Sequence, residues 1–291
     1  MKACADPRPK FLLPLLALLA ALLGCIGLLR AQSGPAAKSE TETNAGPADT
    51  ALTARVNATL VHARNSINAF FQQTSNVVCM ENVLQTIIGK NNKPMYREES
   101  AFEYQLQSST RSGSLRLVET RETRNAAFRD PNKTLLITNG FASMLLVLHP
   151  NYEASYTFEP TGEETTDGRT LAKVHFKVIP GGSSPAAIQL RDRNYPLQLK
   201  GDIWIDEESD AVVKLIASMD GSLDDLGLLD LRSEIHYSIV RFHEPEEAYW
   251  MHASAVIDVE TPKQHWRNVH RFTDYKRFRA TIQVDLGEKK P

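Results

Sequence analysis

The chain has 291 residues, with 33 Lys+Arg against 35 Asp+Glu and a formal net charge of −2. Both signs are interspersed throughout, so no basic face suited to nucleic acid is visible and that class of partner is excluded. Of the three cysteines only Cys79 lies beyond residue 31, which excludes an internal disulfide framework.

Phe11 to Leu29 form an almost unbroken apolar run, preceded by Lys2, Arg8 and Lys10 and followed by Arg30-Ala31. A basic start, an apolar run and a small residue before a cut are the layout of a secretory signal. At roughly 19 residues the run is long for a signal and just long enough to span a bilayer. Three fates stay open: cleavage after Ala31, acylation of Cys25 within Leu22-Leu23-Gly24-Cys25, or retention as an N-terminal anchor. All three export the remainder. Residues 32–48 are small, polar and broken by Pro and Gly, so they read as a flexible linker. A single domain is expected over residues 49–286, with 287–291 as a tail.

Asp49-Thr50 can cap a helix whose apolar residues fall at Leu52, Val56, Leu60, Ala63, Ile67 and Phe70/Phe71. Steps of three and four make one stripe, which predicts an amphipathic helix of about six turns. Ser75-Asn76 ends it, and the period then changes to two. Strands are predicted at 77–88, 99–107, 113–122, 152–159, 170–179, 197–206, 211–219, 230–243, 249–261, 264–279 and 280–286. In 170–179, for instance, Ala172, Val174, Phe176 and Val178 alternate with Lys173, His175 and Lys177. The turns between strands carry Asp-Gly, Gly-Gly, Asp-Glu-Glu-Ser and Glu-Pro-Glu-Glu, which suit hairpins. Long strands joined by short turns, without intervening helices, mean an antiparallel meander with one buried face.

Two apolar segments interrupt that train. Phe141 to Leu148 is apolar nearly all round; Asn139 can cap it and Pro150 stop it, so a buried short helix is predicted. Leu223 to Leu229 separates two later strands. The expected fold is therefore mainly β (α+β): a curved antiparallel sheet or incomplete β-barrel, with a long N-terminal helix and short helices as lid or plug.

Local motifs add a resemblance. The segment from Leu199 through Trp204-Ile205-Asp206-Glu207-Glu208-Ser209-Asp210 to Lys214-Leu215, closing at Met219-Asp220-Gly221, resembles a hairpin of the periplasmic lipoprotein-carrier (LolA/LolB-like) superfamily. The helix before Asn76-Val77-Val78-Cys79, the Gly168-Arg169 strand and the ending Phe272-Thr-Asp-Tyr275-Lys-Arg-Phe278-Arg also look like a group of uncharacterised exported bacterial proteins. The resemblance implies a half-barrel closed by helices around a lipid-binding cavity.

Five of the eight histidines lie between His236 and His270. Zinc needs three or four ligands converging on one point. His265 and His270, five apart on a strand, point to opposite faces, while His236 and His252 are candidates for cross-strand neighbours. The group Asp220, Asp224, Asp225 and Asp230 lacks the order of an EF-hand loop. No nucleophile elbow, Ser-x-x-Lys or phosphate-binding loop is present. Cys79, between Val78 and Met80, reads as a small buried residue. Asn57-Ala-Thr and Asn132-Lys-Thr match a glycosylation pattern that acts only in a eukaryotic secretory pathway. The aromatic-basic run from Trp266 to Arg279 reads as a cross-strand ladder.

A non-enzymatic protein without cofactor or metal is therefore expected, binding a lipid or acylated lipoprotein. Phe141, Met144, Leu145 and Leu148 are the candidate lid. Val174, Phe176, Ile203, Ile205, Met251 and Ile257 are the candidate cavity lining. The rival readings are a filled core in an envelope scaffold with a protein partner, and a metal-dependent hydrolase built on the late histidines.

Overall fold

The computed structural model describes residues 47–73, 76–111, 114–124, 140–190, 193–243 and 246–277. The apolar run Phe11–Leu29, most of the linker, Asn132, Asn139, Phe278, Arg279 and the expected strand at 280–286 lie outside them.

Helix α1 spans Pro47–Gln73. Its stripe Val56, Leu60, Ala63, Ile67 and Phe71 is buried, as steps of three and four require. The strands are β1 Asn76–Ile88, β2 Pro94–Arg111, β3 Ser114–Thr123, β4 Tyr156–Thr166, β5 Arg169–Val178, β6 Ala187–Leu190 and β7 Arg193–Pro196, followed by β8 Leu199–Asp206, β9 Ala211–Met219, β10 Asp230–His243, β11 Glu246–Glu260 and β12 His265–Arg277. Ten of them form one sheet in the order β3-β2-β1-β12-β11-β10-β9-β8-β5-β4, and β6 and β7 form a separate hairpin. Every pairing is antiparallel.

Turn chemistry explains the meander. Thr166 pairs with Arg169 across a two-residue loop in which Asp167 (φ 52°) and Gly168 (φ 76°) are both left-handed. That is the twist-matched hairpin turn for which Asp-Gly is suited. At the β8–β9 turn the Asp206 carboxylate accepts from the Glu208 amide at 3.1 Å and the Ser209 hydroxyl at 3.0 Å. Gly201 serves a different need, since a Cβ there would sit 1.8 Å from the Ile216 carbonyl oxygen. Register shifts interrupt the ladders of β1–β12, β4–β5, β8–β9 and β10–β11. Each adds local bend and twist.

The sheet is an open, curved half-barrel with edges at β3 and β4. Helix α1 packs on β2, near one edge, and on β4, β5, β8 and β9 toward the other. Ser108 of β2 donates to the Phe71 carbonyl at 3.1 Å. At the opposite side Arg55 pairs with Glu163, and the Arg64 guanidinium lies 4.5 Å from the Phe158 ring centre. Outward residues form a polar ladder: His175–Asp202 at 3.1 Å, with Lys177 and Lys200 each 2.9 Å from Asp220.

Several sequence expectations need adjustment. Strand β2 begins at Pro94 rather than 99, and the hairpin of β6 and β7 was not expected. The segment expected as an α-helix over 140–148 is a 3-10 helix, Ser143–Leu148. Its Leu145 and His149 amides bond three residues back, to Ala142 and Leu146. Side chains outside the segment take its leading amides, as described below. The Leu223–Leu229 interruption is a 3-10 turn at Asp224–Leu226 closed by a bridge between Leu223 and Leu228. Among the described residues no helix is long and apolar enough to cross a membrane.

Candidate functional site

The inner face of the sheet divides into two zones. Following cross-strand partners, Val174 faces Ile203, then Leu215, Ile235, Ala255 and finally His270. All six are buried. The row is aliphatic from β5 to β11 and turns polar at β12.

The aliphatic zone contains the candidate lining. Val174, Phe176, Ile203, Ile205, Met251 and Ile257 are all at most 4% exposed and belong to one core cluster. Phe141, Met144, Leu145 and Leu148 join the same cluster, at most 6% exposed. The 3-10 segment also packs on α1, and the Phe71 ring meets the His149 ring edge-on at 6.0 Å. All ten candidate residues thus belong to one buried core cluster, in which α1 packs both on the sheet and on the 3-10 segment.

The polar zone lies on β1, β2, β3, β11 and β12, at the Phe141 end of the segment. Here Glu81 of β1, fully buried, meets Arg121 of β3 through two guanidinium nitrogens, one of them at 2.7 Å. His270 Nδ1 lies 2.7 Å from the same carboxylate. Burial pushes the Glu81 carboxyl up, but the His270 hydrogen bond and the Arg121 guanidinium outweigh it and hold it below its usual range. For His270 burial dominates and moves the imidazole down despite Glu81. The neutral ring then donates from Nδ1. Beside it His252, 1% exposed, is pushed down to about 3 by burial, and its Nε2 has no hydrogen-bond partner among the described residues. Aromatic rings enclose the cluster: Phe141 lies 6.0 Å from His252 and 4.8 Å from His270, and Tyr104 5.0 Å from His252.

Glu119 of β3 ties this zone to the 3-10 segment. One carboxylate oxygen accepts from the amides of Gly140 (2.9 Å) and Phe141 (3.1 Å) and from the Tyr104 hydroxyl. The other accepts from the Ser143 amide at 2.8 Å and from the Ser143 hydroxyl. Tyr237 of β10 donates to the Phe141 carbonyl at 3.1 Å. The leading end of an apolar segment is therefore gripped by polar side chains of the sheet.

Sequence reasoning did not single out Glu81, Glu119 or Arg121. A signal existed for Glu81, because alternation puts it on the face of Val77 and Cys79. The remaining candidates separate. His236 faces Ser254, not His252, because the ladder shifts at that point, and it bonds Glu234 at 3.0 Å. His265 pairs with Asp258 on the outer side while His270 is buried. Among the described residues no group of three or more His, Cys, Asp or Glu is placed to hold a metal. Cys79 is buried and its thiol is pushed up to about 12 by that burial. A depression of about 330 Å³, lined by residues such as Asn82, Leu84, Glu99, Ala101 and Arg271, contains none of the candidate lid or lining residues.

Among solved structures the chain is similar to a DUF1329 family protein from Desulfovibrio piger (9% identity, TM-score 0.45, covering 78% of this chain and 95% of that one). It is also similar to a LolA superfamily protein from Nitrosomonas europaea (12%, 0.38, 78% and 94%). A third likeness is to a structure described as an outer membrane lipoprotein-sorting protein domain, from Vibrio parahaemolyticus (10%, 0.39, 79% and 96%). No protein-family model matches the chain, and no curated protein matches it. The class defined by strand order and register is an open antiparallel half-barrel with a long N-terminal helix packed on it.

Proposed function

We propose that the protein is an exported, non-enzymatic carrier or binding protein that takes up a lipid or protein-linked acyl chain on its inner face when the 140–148 segment swings aside. The observation that carries this reading is the nature of that segment. It is apolar nearly all round and buried in the same core cluster as the aliphatic sheet residues, yet it is a six-residue 3-10 helix. Helices of that type and length have poor internal hydrogen bonds and depend on their surroundings. On this reading, moving it opens the core cluster that also contains Val174, Phe176, Ile203, Ile205, Met251 and Ile257, while α1 stays packed on β4, β5, β8 and β9. An acyl chain of about sixteen carbons contributes on the order of 10 kcal/mol gross on burial, comparable to the apolar contacts it replaces. Met144 in the lid repacks readily against varied partners. Export rests on the sequence of residues 1–31.

Native mass spectrometry of protein gently purified from its own envelope tests the idea. A co-purifying lipid mass is expected; a clean apo mass, together with no uptake of an added acyl probe, refutes it. One observation favours a second reading. All ten candidate residues are closed off from solvent in one packed core, as a scaffold that binds a protein partner at an edge strand requires. That reading calls for no probe uptake and one dominant protein in crosslinked complexes.

A further inference from the structure

The covering segment is held by its polar end, and this bears on what can replace it. Four hydrogen bonds run from the segment to Glu119: the amides of Gly140, Phe141 and Ser143, and the Ser143 hydroxyl. Removing the segment strips all four from one carboxylate and leaves it the Tyr104 hydroxyl. A half-buried carboxylate deprived of donors is costly unless something supplies new ones. The Tyr237 hydroxyl loses its acceptor, the Phe141 carbonyl, at the same time. Next to them His252 Nε2 is already without a partner in the closed state, although the ring is only 1% exposed.

The charges around this spot are Glu119, Glu81 and Arg121, and Arg121 is engaged with Glu81 through two nitrogens. His252 and His270 stand among aromatic rings without a full charge to offer. An incoming carboxylate or phosphate would thus meet an uncompensated anion. An incoming N–H or O–H donor, above all a cationic one, would restore what the segment took away.

We propose that the polar zone at Glu119 is the head-group subsite of the acyl-binding face, and that it selects acyl ligands whose head donates hydrogen bonds, an amine or an amide, over those with an anionic head. The inference rests on the acyl-binding reading above. Glu119 is its specificity-determining residue: the carboxylate receives the head, while Val174, Ile203 and their neighbours receive the tail.

The test uses three probes of equal chain length, dodecylamine, dodecanamide and dodecanoate, each below its micellar concentration at pH 7, titrated into the full chain. Dodecylamine and dodecanamide are expected to bind at least about tenfold more tightly than dodecanoate, the size of one charge-assisted hydrogen bond. The amine-to-amide ratio separates a cationic head from an amide such as that of an N-acylated peptide. In Glu119→Gln the preference for the amine should collapse to within about threefold. Ser143→Ala, which removes one tie to Glu119 but leaves the receptor intact, should tighten all three probes and keep their order. Wild-type binding that favours dodecanoate or ranks the three alike overturns the head-group assignment while leaving acyl binding in place. A preference that survives Glu119→Gln overturns the role of Glu119. Absence of binding by all three overturns the acyl reading itself. If Glu119→Gln fails to fold, the wild-type ranking and Ser143→Ala still decide.

Discussion

Replacing His252 with Gln removes a titrating ring from the interior while leaving a side chain that can hydrogen-bond. In the folded protein burial holds this imidazole down at about 3, against about 6.5 for an exposed histidine. The unfolded chain therefore binds the proton first as pH falls, and stability is lost. The full contribution is present above pH 6.5 and is withdrawn between 6.5 and about 3. Over that window of about 3.5 units, at about 1.4 kcal/mol per unit, His252 alone withdraws roughly 5 kcal/mol, and about 2 kcal/mol is already gone at pH 5. His270 acts in the same direction, since burial lowers it too, and it is present in both proteins. Urea unfolding at pH 7.5, 6.0, 5.0 and 4.5 measures the slope. The wild-type free energy should fall faster than that of His252→Gln by about one proton's worth, roughly 1.4 kcal/mol per unit below pH 6. Equal slopes in the two proteins would show that His252 is not held neutral in the interior. The polar zone as described would then be wrong.

Arg121→Met strips the buried Glu81 of its guanidinium and should cost about 3–5 kcal/mol in urea unfolding, of which the further change Glu81→Gln should recover a substantial part. Gly201→Ala places a methyl against the Ile216 carbonyl and must push β8 from β9, so a loss of about 1–3 kcal/mol and a lower Tm are expected. Phe176→Ala empties a fully buried position of β5; a loss of about 3–5 kcal/mol is expected in the absence of ligand. Cys79, buried and with its thiol pushed up to about 12, should resist iodoacetamide at pH 8 in the native protein and alkylate on unfolding, read peptide by peptide by mass spectrometry.

The long helix and nearly all the strands of the large sheet were legible because each is written in a local period, and the burial of the 140–148 segment was legible because it is apolar nearly all round. Val56, Leu60, Ala63 and Ile67 step by three and four; Ala172, Val174, Phe176 and Val178 step by two, and burial follows. Local signals also place the hairpin at Asp167-Gly168, where two consecutive left-handed residues are needed. Helix type was harder to read, because the amides that open the 140–148 segment are satisfied by Glu119, some twenty positions earlier on a different strand.

Alternation along β1 determines by itself that Glu81 shares a face with Val77 and Cys79, and the sequence by itself shows both signs of charge interspersed along the chain. Tertiary structure decided what that carboxylate meets. Its partner His270 is 189 positions away and reaches it only through the β1–β12 register, while Arg121 comes from β3, two strands distant on the other side. The shifted β10–β11 ladder likewise sets His252 opposite Tyr237 instead of His236. Periodicity is a property of neighbours in the chain, whereas register is chosen by which faces can be buried together. A half-barrel with a polar corner therefore emerges only when the strands pair.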